Sequence, residues 1–303
     1  MAFVPSLYPG AALIATGLSL HGYRKGSLSG SGAIAAWVVG YGHLANPLKV
    51  FGVTMIVFYL VGSRATKVKA DVKARLEDGP DPAKPGGNRD ALQVLSSSLP
   101  SLLAALLYRG YVASPESSFF DLLPLNVSAR PLIYMALGHF STCLADTLAS
   151  ELGILSSSPP FFILSGKTVP PGTNGGVSLL GLGASVAGGA IMALTMIADL
   201  LIEDPGSPEN LGWAGEMLLF GTLAGLAGSL LDSLLGALFQ RTLYSTTEKR
   251  ILTDHSTKRL AKGKDVEGSI IQIGPGMDLL SNTAVNFVCG CVMGCVGYAW
   301  GQR

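Results

Sequence analysis

Charge is scarce in this 303-residue chain: Asp, Glu, Lys and Arg make up 14% of it, against about 25% in soluble proteins. The 21 basic and 20 acidic residues nearly cancel, so bulk charge offers nothing to nucleic acid, which is excluded as a partner. Cysteines number only four (Cys143, Cys289, Cys291 and Cys295), all inside apolar runs. Their Cys-x-Cys-x3-Cys spacing lacks a fourth ligand, so they read as packing thiols, not as a metal centre or disulfide framework. The opening Met-Ala-Phe-Val-Pro-Ser-Leu-Tyr has neither a basic n-region nor an Arg/Ser-rich presequence, which argues against a cleaved signal or transit peptide. The 39 glycines follow no Gly-X-Y period, which excludes collagen. What the chain does have is apolar length. Hydrophobic residues reach 49% and mean hydropathy is +0.44. Gly is enriched where membrane helices pack closely. The composition predicts a polytopic, all-α membrane protein.

A spanning helix needs about 20 mostly apolar residues. Eight stretches qualify: 4–20, 28–45, 48–63, 91–112, 131–153, 178–202, 213–239 and 277–300. Asn46-Pro47 joins the second and third as a tight hairpin, and Pro100 should kink the fourth by removing a backbone donor. With eight spans, 17 of the 21 Lys and Arg fall on one side; only Lys49, Arg109, Arg130 and Arg303 fall on the other. The positive-inside rule makes the basic side cytosolic and both termini non-cytosolic. The chain is then one membrane domain, residues 1–303, with cytosolic loops 64–90, 154–177 and 240–276. Lys67/Asp71 and Asp71/Arg75 are four apart, so the third span is expected to continue as a solvated helix. The 240–276 segment is expected either to be a solvated loop or to cover a nucleotide. Asn126-Val-Ser is a glycosylation sequon on the non-cytosolic side, close to the next span.

Ionisable residues inside apolar spans are costly and mark candidate sites. Asp146 and Glu151 lie in Ala-Asp-Thr-Leu-Ala-Ser-Glu-Leu-Gly near the cytosolic end of span five. They are about 140° apart round a helix and so face different neighbours. Asp232 sits near the cytosolic end of span seven. Asp278, Asn282 and Asn286 follow at i, i+4 spacing and form a polar stripe on span eight, with interhelical hydrogen bonding as the plainer reading. Asn88, Arg89 and Asp90 guard the entry to span four. All these groups belong at one depth.

The loop Ser165-Gly-Lys-Thr-Val-Pro-Pro-Gly-Thr-Asn-Gly-Gly-Val-Ser178 is the strongest local motif. Ser-Gly-Lys-Thr resembles the end of a Walker A sequence, but Phe161 stands where its first glycine belongs and Pro170-Pro171 forbid the following helix. A P-loop NTPase is rejected. Gly172, Thr173, Asn174, Gly175, Gly176 and Ser178 instead offer backbone amides to an anion, and the start of span six adds its dipole. A glycine turn made only for packing is the alternative.

Four stretches carry a resemblance: Gly-Gly-Asn-Arg-Asp-Ala-Leu-Gln-Val at 86–94, Ala-Asp-Thr-Leu-Ala-Ser-Glu-Leu-Gly at 145–153, Val-Pro-Pro-Gly-Thr-Asn-Gly-Gly-Val-Ser at 169–178 and Gly-Ser-Leu-Leu-Asp-Ser-Leu-Leu-Gly-Ala at 228–237. With Asn282 and Asn286, their order and spacing resemble the family of transmembrane protein 19 and the plant phytyl-phosphate kinases over nearly the whole chain. The family is distantly similar to dolichol kinases and phosphatidate cytidylyltransferases. The resemblance implies phosphoryl transfer from a nucleoside triphosphate, CTP first, to a prenyl monophosphate (farnesyl, geranylgeranyl or phytyl). The plastid targeting of plant members is lacking, which favours the endoplasmic reticulum with the site facing the cytosol. On that reading Asp146 and Asp232 hold Mg²⁺, with Glu151 and Asn88 as further oxygen ligands. Lys167, Arg89 and the 170–178 backbone bind nucleotide phosphates. The prenyl tail lies in the bilayer, and a homodimer stays open. The rivals are a cytidylyltransferase-like enzyme on a lipid phosphate and a non-enzymatic transporter or scaffold.

Overall fold

The computed structural model describes residues 7–78, 88–113, 128–203, 211–252 and 270–303. Helices dominate them. Helices α1 (Pro9–Arg24), α2 (Gly30–Leu44) and α3 (Val50–Ala65) are followed by the short α4 (Ala70–Leu76). Next come α5 (Ala91–Ser96), α6 (Leu99–Leu107) and a π-helical turn, Tyr108–Val112. The long helices are α7 (Ala129–Gly153), α8 (Leu179–Glu203), α9 (Gly212–Phe239) and a last helix, α10 (Asn282–Gly301). Among the described residues, these four are long and apolar enough to cross a membrane.

α7 is the central helix, with 67% of its spanning stretch buried against 33–39% for the other three. Leu132, Leu137, Phe140 and Leu144 of α7 meet Met192 and Met196 of α8 and Phe220 of α9 in the core. Small residues set how near the helices come. A Cβ on Gly189 would stand 2.4 Å from the Gly221 carbonyl oxygen, so α8 and α9 touch backbone to backbone. Gly189→Leu is therefore expected to force the pair apart and destabilise the fold by about 1–3 kcal/mol. Thermal unfolding in detergent would read this as a lower midpoint.

The helices alternate in direction, so the C-termini of α7 and α9 and the N-termini of α8 and α10 gather at one end. The opposite end is tied by side chains. Arg130 Nη2 donates to Glu216 Oε1 at 2.6 Å and Trp300 Nε1 donates to the same oxygen at 2.8 Å, joining α7, α9 and α10. The Lys49 amide donates to both Glu203 carboxylate oxygens at 3.0 Å. Arg303 stacks over Trp300 and Arg109 over Tyr8. The four basic residues separated from the rest by sequence all lie at this end.

Several expectations need correction. The fold is not helical throughout. Strands β1 (Glu77–Asp78), β4 (Thr242–Ser245), β5 (Arg250–Leu252) and β6 (Ile270–Ile273) form a sheet in the order β1-β5-β4-β6. Strands β2 (Phe161–Phe162) and β3 (Gly176–Val177) pair antiparallel. The described ends of the 240–276 segment are thus strands, because Leu243 pairs with Gln272 and Ile251 with Glu77, partners far away in sequence. The fourth span breaks rather than bends: Ser97 and Ser98 hydroxyls donate back to Gln93 and Val94 carbonyls, and Pro100 falls in the first turn of a new helix. α3 does not run on either. Lys69, at φ +45°, separates it from α4, which leaves Lys67 off the helix carrying Asp71. Asp278 precedes α10, whose cap is Ser281, so it is not on the helix of Asn282 and Asn286. Asn126 lies outside the described residues.

Candidate functional site: a polar cleft at one end of the bundle

The gathered helix ends enclose a cleft of about 620 Å³. Its floor carries Asp146 of α7 and Asp232 of α9, both half-buried and within electrostatic reach of one another. Asp232 is held from α10. The Asn286 amide, turned so that its nitrogen faces the carboxylate, donates to Asp232 Oδ2 at 2.8 Å and to the Asn282 carbonyl at 3.1 Å. The Cys289 thiol, one turn nearly on from Asn286, also bonds Asp232. Asp146 makes no such bond among the described residues. Two carboxylates sharing a desolvated space repel each other unless a cation or a proton lies between them.

The glycine loop forms one wall, with Gly172, Thr173, Asn174, Gly175, Gly176 and Ser178 all lining the cleft. Its shape depends on backbone that other residues resist: Gly172 has φ +85° and Gly175 φ +79°. A Cβ on Gly175 would also lie 2.4 Å from that of Ala237, so the loop rests directly on the end of α9. The Asn174 amide donates to Thr242 Oγ1 at 3.1 Å, tying the loop to β4. Thr173 Oγ1 donates to the Pro170 carbonyl, which closes the turn. Ser178 Oγ accepts from the Gly181 amide and donates to the Gly153 carbonyl, joining the start of α8 to the end of α7. The amides of Gly172, Gly175 and Ser178 find no acceptor among the described residues. A wall of glycine amides at a helix start suits an anion.

Other candidates are placed differently. Glu151 reaches the rim of the cleft, but Lys73 of α4 grips its Oε2 and also donates to the Ala65 and Thr66 carbonyls at 3.2 and 2.9 Å. Arg89 lines the cleft with no ion-pair partner among the described residues. Asn88 and Asp90 do not line it. Asn88 sits at φ +43° and pairs its amide with the Gly26 carbonyl, while Asp90 caps α5 by accepting from the Gln93 amide at 2.9 Å. Lys167 is exposed at the tip of the β2 hairpin, away from the cleft. Asp278 lines the mouth and accepts from Arg241 Nη2 at 2.8 Å. The amides of Met277, Leu279 and Leu280 bond the last carbonyls of α9, which holds that segment over the mouth.

Lys73, Gln93, Arg241 and Thr242 were not singled out by sequence. Arg241 carries a signal in its position just beyond the span that bears Asp232. Lys73 carries none, since its partner is 78 residues away. Because Lys167 stands apart, Lys167→Ala is expected to change nucleotide-dependent thermal stabilisation by less than about twofold, as distant, unshared sites do. A larger loss would bring its hairpin into the site.

A bundle of apolar helices with a polar, two-carboxylate cleft at one end defines the class: an integral membrane protein with a built internal site. The chain belongs to the family described as integral membrane protein DUF92, whose model matches residues 13–294. It is 32% identical over 279 residues to Protein PGR of Arabidopsis thaliana, covering 92% of this chain and 90% of that one. It is also 30% identical over 189 residues to an uncharacterized membrane protein of Synechocystis, covering 61% and 62%. A third relative, an uncharacterized membrane protein of Methanocaldococcus jannaschii, is 38% identical over 108 residues, covering 35% and 40%. No solved structure matches the chain.

Proposed function

We propose that the chain is a membrane-bound isoprenoid-phosphate kinase, transferring the terminal phosphoryl group of CTP or another nucleoside triphosphate to a prenyl monophosphate. The observation that carries this reading is the meeting of Asp146 and Asp232 beside a glycine wall whose Gly172, Gly175 and Ser178 amides have no acceptor among the described residues. Acid and anion-binding groups face the same space, as phosphoryl transfer requires.

Magnesium fits the floor. Its ligands are hard oxygens, commonly one or two carboxylates with substrate phosphates completing the set. Asp146 and Asp232 supply that pair, and no group of three His, Cys, Asp or Glu gathers among the described residues. Glu151, already held by Lys73, and Asn88, outside the cleft, do not join them. The bound ion would neutralise phosphate charge. The amides of Gly172, Gly175 and Ser178, with the start of α8, hold the nucleotide phosphates in line. An acceptor oxygen then bonds the terminal phosphorus as the bond to the β-phosphate oxygen breaks, releasing the nucleoside diphosphate. The acceptor is already largely dianionic at pH 7, its second pKa being about 6, so no side chain needs to remove a proton.

Topology belongs to the same proposal: one membrane domain of eight crossings, both termini non-cytosolic, at the endoplasmic reticulum with the cleft facing the cytosol. Helices α1 to α3 are at most 16 residues, or about 24 Å, and would cross by local thinning of the bilayer or by flanking residues. The placing of Lys49, Arg109, Arg130 and Arg303 opposite the cleft supports this orientation.

Purified full-length protein, given γ-labelled CTP or ATP and farnesyl, geranylgeranyl or phytyl phosphate, should yield labelled prenyl diphosphate. A CMP-lipid with released pyrophosphate would make it a cytidylyltransferase. Absence of any transfer across all nucleotides and chain lengths would sink the enzyme reading.

A further inference from the structure

The cleft has a second wall that the glycine loop does not reach. It is built by Arg89, by Gln93 and Ser96 of α5 and by Ser97, which caps its end, with Phe58 of α3 beside them. The hydroxyls of Ser96 and Ser97 are spent on the Gln93 and Val94 carbonyls. The donors left on this wall are therefore the Arg89 guanidinium and the Gln93 amide nitrogen, whose Oε1 already accepts from the Asp90 amide at 3.0 Å. Arg89 is held firmly for such a task. Its carbonyl accepts from the Ser29 amide at 2.9 Å and its amide donates to the Ser27 carbonyl at 3.0 Å. A Cβ on Gly32 would lie 2.0 Å from that carbonyl oxygen, so α2 presses directly against the Arg89 backbone. The side chain is thus a half-buried fork on a fixed stem, with no partner among the described residues. Guanidinium forks match phosphate oxygens two at a time.

What lies outside this wall says which phosphate it meets. Leu92 and Leu95 of α5 are 67% and 36% exposed, and Leu99 and Leu103 of α6 continue at 43% and 49%. α5 therefore turns polar side chains to the cleft and leucines away from it, at the end of a membrane bundle. The opposite wall is roofed by Arg241 and Thr242, which follow the end of α9 and so lie beyond the apolar helix at the aqueous end. A ligand anchored in the bilayer meets the α5 side, and a water-borne one meets the β4 side.

Resting on the kinase reading, we infer that the Arg89–Gln93 wall is the acceptor subsite, binding the phosphate monoester head of a membrane lipid while the glycine wall takes the nucleotide. Its chain leaves past Phe58 and α5 into the bilayer. Arg89 fixes the acceptor phosphate against the two carboxylates and is not part of the nucleotide site.

Binding measured separately for each ligand tests this on the full-length chain in nanodiscs. The probes are Mg-CTP, geranylgeranyl phosphate in the bilayer, and inorganic phosphate in solution. Arg89→Ala should weaken geranylgeranyl phosphate binding by about tenfold or more. It should leave Mg-CTP binding within about twofold. Arg89→Lys, which keeps charge but loses the fork, should fall between, and keeps the test open if Arg89→Ala unfolds. Inorganic phosphate matching the lipid phosphate in affinity would make the wall a free-phosphate site and overturn the lipid assignment. Equal loss of CTP binding, or unchanged lipid phosphate binding, would overturn the subsite. Wild-type binding of lipid phosphate without CTP would leave the subsite standing and remove the kinase reading. Wild type that binds neither lipid nor inorganic phosphate would remove the subsite.

Discussion

Asp232→Asn is expected to abolish phosphoryl transfer to within background, a loss of about 10²–10³-fold or more, the scale for removing one group that stabilises transition-state charge. The same substitution should raise the thermal midpoint of the ligand-free protein. Asp232 faces Asp146 across the cleft floor, and removing one of two crowded carboxylates relieves repulsion that a bound cation or a shared proton would otherwise have to relieve. Asparagine keeps an oxygen for the Asn286 amide, which sits 2.8 Å from Asp232 Oδ2. Packing is therefore preserved while charge is lost. Stability gained as activity falls is the signature of a site strained for function. A variant that loses both would show that Asp232 is a structural hydrogen-bond acceptor, and the kinase reading would lose its central residue. Assay of prenyl diphosphate formation beside thermal unfolding, with and without Mg-CTP, separates the two cases.

Gly175→Val carries the second large effect. Two independent costs meet at this residue. Its φ of +79° is one that β-branched residues rarely adopt, with a cost of about 1–3 kcal/mol. The new side chain would also collide with Ala237, whose Cβ is 2.4 Å from the position of the added atom, and with the Ser233 carbonyl at 3.0 Å. The loop cannot retreat freely, because the neighbouring Asn174 amide is bonded to Thr242 and the Gly175 carbonyl accepts from Ile163. It must lift off α9 and take its free amides with it. Nucleotide-dependent stabilisation should vanish, while the apolar bundle, whose core on α7, α8 and the first half of α9 does not include Gly175, stays folded. Retained nucleotide binding would remove the glycine wall from the site.

Much of this cleft was legible in the sequence because its parts are local. A carboxylate inside an apolar run marks itself, and the direction of each span places it at one end or the other. That reasoning brought Asp146, Asp232, Asn282, Asn286 and the 172–178 loop to one depth, and the helix ends do gather them. Lys167 is near the glycine loop in sequence but does not line the cleft: it is exposed beside the turn at Gly166, φ +67°, in the β2 hairpin. The small sheet was hidden for a related reason. Its strands are two to four residues long, and the parallel pairing of Glu77 with Ile251 joins segments that only the folded bundle brings together. Lys73 illustrates the same limit. Nothing local distinguishes it from Lys67 or Lys69, yet it alone reaches Glu151 from the end of α4.

The clasp of Arg130, Glu216 and Trp300 has a mechanical consequence. It binds α7, α9 and α10 together at the end farthest from the cleft, so those helices behave like tweezers closed at the base. Space for a ligand is then expected to open at the other end, where Asp146, Asp232 and Asn286 line the cleft. A small rotation about the clasp becomes a larger separation between the two carboxylates. Grip on the cation and access for the lipid would then be two readings of a single angle.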